Sequence, residues 1–456
     1  MLSDALTTHR EANATAADAL TDRVQQSGVE FIYYQFVSIN GRVLAKVVPA
    51  VHLERSLETG VRFHGSAVAD VAANRDGVLF GGGIAAEEFV VMPDADSFQV
   101  LPWDPSIGRF LCRLYRRDDS QHSPGAPLST DVRGLLQQRM ASFEATTGYE
   151  LRSGCEPEVT WTGPGYDPVS RPGVSIAYHA GTLEMTREIY KRAIRYGQSM
   201  GIDMIEGDYE DAGQIELNFM YDRADRTADR LITYRQICVQ VARELGIEVT
   251  FMPKPTVGVM GNGCHHNLSL WKGGVNAFED AGRRELHVSD TARAALGGLL
   301  EHAAESMAVF ASTVNSYKRY WDAGQFAPSC VDWGLDDRSR SVRVSANGRL
   351  ELKLPDSIVN PYLSHLMILA ALEDGLHRTI DPGSAPEPGQ LGDQRFRPLP
   401  LTLGNAVETF AASPFVVEAL GADLTNLYTE FKRDEWARYC GAVTDWEYLM
   451  YRQWAP

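Results

Sequence analysis

The sequence predicts an α+β protein in two parts, a small strand-rich unit followed by a larger unit of alternating long helices and short strands. Three observations carry this. Before residue 108 the apolar residues run in short β-rich stretches around an Asn40-Gly41 turn signal. Beyond Ser129 apolar residues recur at three- and four-residue steps, the helical period, between short strand-like runs. Finally, 44% of the 456 residues are apolar, enough for a large buried core.

In chain order, residues 14–27 read as a short helix, and Val29 to Val37 as a strand. Asn40-Gly41 gives the tight turn, and Arg42 to Pro49 returns as a second strand. Glu88–Asp94 and Phe98–Trp103 read as two more, so residues 28–108 form the first domain, after an N-terminal helical segment over 1–27. The Pro/Gly/Ser-containing stretch Ser120 to Ser129 reads as a linker or surface loop, and residues 109–456 as the second domain. Helices are expected over 183–200, 225–246 and 290–313, and in amphipathic text from 404 to 454. In the second of these, Leu231, Tyr234, Cys238, Val241 and Leu245 fall on one face. Strands are expected at 156–161, 215–220, 249–252, 265–270, 341–345 and 349–354, an irregular segment at 320–340, and a proline-rich loop at 373–403.

Composition narrows the function. With 43 Lys+Arg against 60 Asp+Glu the formal charge is −17, and no basic stripe exists to neutralise phosphates, so nucleic acid is not an expected partner. No run of 18 or more apolar residues is present, so no membrane span is expected. The first residues carry acids and no apolar core of a secretory signal. Six scattered cysteines (112, 155, 238, 264, 330, 440) show neither C-x-x-C pairs nor a disulfide framework, and a cytoplasmic setting is expected.

The chemistry lies in clusters. Glu156 and Glu158 sit two apart in a strand-like run, so both side chains leave the same face. Two like charges side by side cost energy unless a cation lies between them, although an exposed pair on a solvated strand is the plain alternative. Between Glu206 and Glu216 there are five acids, Glu206, Asp208, Glu210, Asp211 and Glu216, flanked by apolar residues. Oxygen-ligated divalent cations would account for them. Gly261-Asn262-Gly263-Cys264-His265 places a histidine at the start of an apolar strand, just after glycines that let backbone approach a ligand. Neither a G-x-G-x-x-G nor a G-K-[ST] motif accompanies it. Arg338, Arg340 and Arg343 concentrate positive charge, and Arg349-Leu350-Glu351-Leu352-Lys353 alternates charged and apolar residues. Metal-binding carboxylates facing arginines are what phosphoryl transfer needs, with independent surface ion pairs as the alternative.

These motifs, in this order, resemble the glutamine synthetase superfamily over about residues 28–454: Gly154-x-Glu156-Pro157-Glu158, Gly213-Gln214-x-Glu216, Met252-Pro253-Lys254-Pro255 with Gly261-Asn262-Gly263-x-His265, Asn315-Ser316-Tyr317-Lys318-Arg319 and Asn360-Pro361-Tyr362. Phe63-His64-Gly65-Ser66 resembles a further family segment. The resemblance implies an N-terminal β-grasp domain, a C-terminal catalytic domain, and ring oligomers (a dodecamer of two hexamers) with each site between neighbouring subunits. It implies an ATP-dependent ligase that activates the γ-carboxylate of glutamate as an acyl phosphate, which a nitrogen nucleophile then attacks.

Residue by residue, it implies that Glu158, Glu210 and Glu216 hold one divalent cation, Mg²⁺ or Mn²⁺, and that Glu156, His265 and Glu351 hold a second on the nucleotide side. Arg319 matches the arginine that grips the amino-acid carboxylate, Arg338 and Arg343 those on the transferred phosphate and ATP. Ser269 and Arg349 fall where the family contacts nucleotide, and Gly261 beside the amino acid.

Departures from the family pattern bear on the substrate. Ammonia-using members carry an aspartate in the β-grasp loop where this chain has Ser38, and a flap glutamate where it has Phe326, beside Gln325. Both changes remove a carboxylate expected to hold ammonium. Lys353 replaces an arginine, keeping the charge and losing the bidentate fork. The spacing from Glu210 to Glu216 is one residue short, which leaves Asp208 as a second candidate ligand. Around 395–400 there is no adenylylation-type tyrosine segment. The expected reaction is therefore ligation of glutamate to an organic primary amine. The alternatives are an ammonia-using glutamine synthetase, a ligase for another acid, and a non-catalytic structural relative.

Overall fold

The computed structural model describes residues 19–118, 123–166, 177–282, 288–321, 327–345, 348–386 and 398–453. The flap positions Gln325 and Phe326, the segment 391–397 and the start of the expected first helix lie outside the described residues.

The N-terminal part is one mixed sheet. A helix over 19–27 (α1) precedes strands β1 (Phe31–Val37) and β2 (Val43–Pro49), which pair antiparallel as the Asn40-Gly41 signal predicts. A short helix α2 (Leu53–Thr59) leads to β3 (Val61–Phe63), β4 (Phe89–Pro93), β5 (Gln99–Leu101) and the long β6 (Asp104–Asp118). The order is β2-β1-β6-β4-β3, and β1 pairs in parallel with β6, as suits a β-grasp sheet. Leu20 and Val24 of α1 bury themselves in this core with Ile32, Tyr34, Phe36 and Phe110, so the helix belongs to the sheet domain rather than standing apart.

Two expectations need correction here. A boundary at residue 108 would cut β6 in half. The strand was hidden by Pro105 and Gly108, residues that read as breakers and are tolerated because Pro105 lies near the strand's start and Gly108 faces the Phe98 ring at 2.6 Å from its would-be Cβ. The stretch read as a linker contains β7 (Ser123–Pro127), which pairs antiparallel with β6.

The larger part is a second mixed sheet with helices behind it. Helix α3 (Val132–Thr147), capped by Asp131 and ended by Gly148 in the left-handed region, leads into the central strand β8 (Glu150–Thr162). Helices α4 (Ala180–Met185) and α5 (Arg187–Ser199) precede β9 (Met204–Asp211), β10 (Gln214–Phe219) and the short β11 (Asp222–Arg223). Then come α6 (Ala224–Leu245), β12 (Glu248–Thr250), β13 (Cys264–Lys272) and β14 (Val275–Asn276). The predicted stripe of α6 holds: Leu231, Tyr234, Cys238 and Val241 are buried against Cys155, Val159 and Trp161 of β8.

The expected single helix over 290–313 is two, α7 (Asp290–Glu301) and α8 (Ala303–Phe310), broken at His302. A single turn of helix, α9 (Lys318–Trp321), and β15 (Trp333–Leu335) lie in the segment read as irregular. Strands β16 (Val342–Ser345) and β17 (Arg349–Leu352) complete the sheet, in the order β15-β16-β17-β13-β8-β10-β9. Helix α10 (Pro361–Arg378) runs through the first six residues of the expected loop at 373–403, and α11 (Leu403–Ala411), α12 (Pro414–Leu420), α13 (Ala422–Cys440) and α14 (Asp445–Tyr451) follow. Among the described residues no helix is long and apolar enough to cross a membrane.

The Asn-Pro-Tyr motif is a junction between the two parts. Asn360 caps α10, its Oδ1 accepting the Tyr362 and Leu363 N–H groups at 3.1 and 3.4 Å, with Pro361 as the first helical residue. Its Nδ2 donates to the Ser38 and Ile39 carbonyls at 3.0 and 3.1 Å. The same side chain thus starts a helix of the larger part and holds the loop between β1 and β2.

Candidate active site

One face of the second sheet carries the acids and its other face carries the core. On β8, Cys155, Pro157 and Val159 are buried while Glu156 and Glu158 are half-buried on the opposite face, as period-2 alternation requires. Register then collects the partners. His265 on β13 stands directly across from Glu156, and Glu216 on β10 directly across from Glu158. On the far side of β10 the residue opposite Glu216 is Asp208, because the register shift at Gln214/Ile215 leaves Glu210 as the extra residue and sets Tyr209 across from Ile215. Glu351 joins from β17.

Two groups result. In the first, His265 Nδ1 lies 3.4 Å from Glu156 Oε2 and 3.5 Å from Glu351 Oε1, and ligand atoms of all three residues fall within 4.8 Å of one another. In the second, Glu158, Glu210, Glu216 and Asp208 share one field. Burial and the neighbouring charges of Glu158 and Asp208 push the Glu210 carboxyl up to about 7. Burial, then Glu156 and Glu158, push Glu216 well above the usual carboxylate range. Asp208 is raised as well, first by burial, and its Oδ1 is buried with no hydrogen-bond partner. Glu156 goes the other way: hydrogen bonds from His265 and Asn267 and the charge of Arg349 outweigh burial and bring it to about 2. Carboxylates this crowded and withdrawn from water have the chemistry of a divalent-cation site, and the oxygen-rich second group with the His/Glu/Glu first group fits two such ions.

Backbone and amides hold the acids in place. Glu158 Oε2 accepts the Gly263 N–H at 2.6 Å and Gln214 Nε2 at 3.1 Å. Gln214 Nε2 also reaches the Gly261 carbonyl and Asn262 Oδ1, tying β10 to the glycine loop. Asn218 donates to Glu216 at 2.7 Å and Asn267 to Glu156 at 2.8 Å. Each asparagine lies two residues after a site residue on the same strand face. The sequence carries the signal as an asparagine two positions after Glu216 and two after His265.

The glycines are there for space. A Cβ on Gly263 would sit 2.9 Å from His265 Nε2, 3.1 Å from Arg319 Nη2 and 3.2 Å from Glu158 Oε1, and one on Gly261 would meet the Pro253 carbonyl at 2.6 Å and Arg319 Cγ at 2.7 Å. Arg319 is buried against this loop, and its Nη1 has no hydrogen-bond partner. The loop is fixed from the other side by Asn315, which accepts the Lys254 N–H at 2.7 Å and donates to the Lys254 carbonyl at 3.0 Å.

The remaining candidates separate. Arg343 donates to Glu351 Oε2 and to Asp336 Oδ1, both at 2.9 Å. Arg338 is exposed and its charge lowers Glu210. Arg340, equally prominent in the sequence, is consumed by ion pairs to Asp332 and Asp337 at 2.7 and 2.8 Å. Lys353 is buried, with Nζ 3.4 Å from Glu351 Oε1 and 3.5 Å from His265 Nδ1. Ser269 and Arg349 line a cavity of about 270 Å³ together with Glu156, Asn267, Tyr221 and Trp271. Tyr221 stacks on Trp271 with centroids 6.0 Å apart, and Trp271 Nε1 donates to Ser269 Oγ at 2.9 Å. Tyr178, which sequence reasoning missed, has φ 58° and a phenol raised chiefly by the charge of Glu210.

Ser38 is not with these residues in this chain. It is 1% exposed, and its Oγ accepts the Arg42 N–H at 3.2 Å within its own turn.

A model of the glutamine synthetase catalytic domain matches residues 129–451. A protein named Glutamine synthetase from Rhizobium meliloti (strain 1021) is 31% identical, over 94% of this chain and 98% of its own. One of the same name from Pyrococcus abyssi (strain GE5 / Orsay) is 33% identical, over 92% and 96%. Among solved structures, one described as "Apo GmaS without ligand" matches with a TM-score of 0.83 and 32% identity, covering 95% of this chain and 99% of that one. A second, "GmaS/ADP complex-Conformation 1", gives 0.84 and 31% with the same coverage.

Proposed function

The chain belongs to the glutamine synthetase family, as an ATP-dependent carbon–nitrogen ligase, and from that premise we propose that it joins the γ-carboxylate of glutamate to an organic primary amine rather than to ammonia. The observation that carries this reading is Ser38. Where the family's ammonia users are expected to have an aspartate, this chain has a hydroxyl already occupied by the Arg42 N–H, so the loop supplies no carboxylate to hold ammonium. Likeness to the two structures titled GmaS supports it. The curated relatives named glutamine synthetase favour ammonia as the second reading.

In the proposed reaction the γ-phosphoryl group of ATP moves to an oxygen of the glutamate γ-carboxylate, and ADP leaves. The amine nitrogen then attacks the carbonyl carbon, gives up a proton, and the carbon–oxygen bond to phosphate breaks. Arg319, with a free Nη1 beside Gly261, takes the amino-acid carboxylate. Arg338, Arg343 and Lys353 surround the transferred group, and Ser269 and Arg349 the nucleotide. Mg²⁺ or Mn²⁺ held by Glu158, Glu210 and Glu216, with a second at Glu156, His265 and Glu351, would neutralise phosphate and carboxylate oxygens. We assign residues 28–108, extended by α1, the rest of β6 and β7, to the β-grasp domain, and the residues from α3 onward to the catalytic domain. Phe326 is assigned to the amine pocket and the assembly to a dodecamer of two hexameric rings. The six cysteines are free thiols, which suits the cytoplasm.

The test is phosphate release with glutamate, ATP and a panel of primary amines alongside ammonium. An organic amine should give the highest kcat/KM. Ammonium ranking first would overturn the reading.

A further inference from the structure

Lys353 stands where two ligand atoms of the His/Glu/Glu group converge. Its ammonium contacts Glu351 Oε1 at 3.4 Å and His265 Nδ1 at 3.5 Å. These are the same two atoms that lie 3.5 Å apart from each other, and the second is 3.4 Å from Glu156 Oε2. The lysine side chain is 4% exposed, so water screens it poorly.

The charges around it do not balance. Arg343 already neutralises Glu351 through Oε2 at 2.9 Å while spending its Nε on Asp336. Arg349 holds its Nε on Ser345 Oγ at 2.9 Å, and its charge helps to lower Glu156. Among the described residues, the one carboxylate within ion-pair distance of Lys353 is therefore Glu351, shared with an arginine. A divalent ion drawn to Glu156, His265 and Glu351 meets a fixed positive charge 3.4 and 3.5 Å from two of its three ligands, and the two cations repel. Anions that bind beside Lys353 would cancel that repulsion. In the second group Glu210 and Glu216 are raised by burial and by their carboxylate neighbours.

We propose that Lys353 is a positioning residue that weakens divalent-cation binding at Glu156, His265 and Glu351 until polyphosphate supplies compensating negative charge, acting through the two ligands it touches. The inference rests on the assignment of that triad as a cation site.

The test is Mn²⁺ binding to the full chain, read by the electron paramagnetic resonance of free Mn²⁺, without acid or amine, with and without ADP. The His265-dependent equivalent of Mn²⁺ is defined by its loss in His265→Ala. Without ADP it should bind about tenfold tighter in Lys353→Met and in Lys353→Gln, and ADP should tighten it further by less than in the parent protein. Lys353→Arg, which keeps the charge, should stay within about twofold of the parent. Unchanged affinity in both neutral variants overturns the proposal and leaves the triad assignment standing. Mn²⁺ binding that is indifferent to His265→Ala overturns the assignment itself, and the lysine's role with it.

Discussion

Glu158 and Glu216 face each other across the antiparallel pair β8–β10, in direct register and on the same side of the sheet. Like charges directly opposite destabilise a strand pair, so this arrangement sacrifices stability of the cation-free protein. Glu216→Gln should therefore stabilise the protein in the presence of a chelator by about 1 kcal/mol while abolishing phosphate release. The sign with pH follows from the raised carboxyls. Their contribution is intact below the usual carboxylate range and is lost as pH climbs through the folded value, about 7 for Glu210. The gain from Glu216→Gln should accordingly be larger at pH 8 than at pH 5.5, and Mn²⁺ should protect the parent protein more at pH 8. Thermal unfolding at the two pH values reads both.

Arg319 offers a planar donor pair to a carboxylate, which lysine cannot reproduce. Arg319→Lys should raise the KM for glutamate about 30-fold, the equivalent of about 2 kcal/mol for a charged hydrogen bond. The KM for ATP should stay within about threefold. An equal rise in both would place Arg319 outside the amino-acid site.

Introducing carboxylates at both positions should reverse the proposed preference for an organic amine. Ser38→Asp keeps an acceptor for the Arg42 N–H, and Phe326→Glu removes apolar surface that two methylenes of an amine could cover for about 1.5 kcal/mol. The double variant should shift the ratio of kcat/KM for ammonium over the best amine by at least about tenfold. No shift would mean that the pocket is built from other residues.

A separate pH effect belongs to a histidine outside the two acidic groups. His302, at the break between α7 and α8, donates or accepts at both nitrogens, 2.7 Å from Glu305 and 2.7 Å from Asp374, and stacks on Phe415. Burial lowers its pKa, but the two carboxylates outweigh burial and raise it. A raised histidine contributes stability below its unfolded value near 6.5 that is lost as pH rises through the folded value. His302→Gln should cost about 2 kcal/mol at pH 6 and distinctly less at pH 9, measured by chemical denaturation.

Much of the site was legible because strand alternation converts spacing into direction: Glu156 and Glu158 had to share a face. The composition of the glycine loop likewise announced a close approach, which Arg319 and His265 provide. Register was not legible, since nothing local says that a bulge at Glu210 brings Asp208 rather than Tyr209 opposite Glu216. The length of β6 was hidden by Pro105 and Gly108, and the break at His302 by an unbroken run of helix-forming neighbours. Lys353 and Arg340 show the same limit for charges. Sequence shows both as charges near the acidic clusters, whereas packing sets Lys353 beside Glu351 and His265 and pairs Arg340 with Asp332 and Asp337.

Lys432 is fully buried on α13, and its Nζ donates to Asn40 Oδ1 at 2.9 Å across 392 positions of sequence. With Asn360 holding the same loop, the turn between β1 and β2 cannot reach its final shape when the ribosome has made only the first sheet. The earliest hairpin to emerge waits for one of the latest helices. A nascent chain lacking α13 should therefore present a folded first sheet with an unanchored tip, so catalytic competence arrives late and all at once rather than domain by domain.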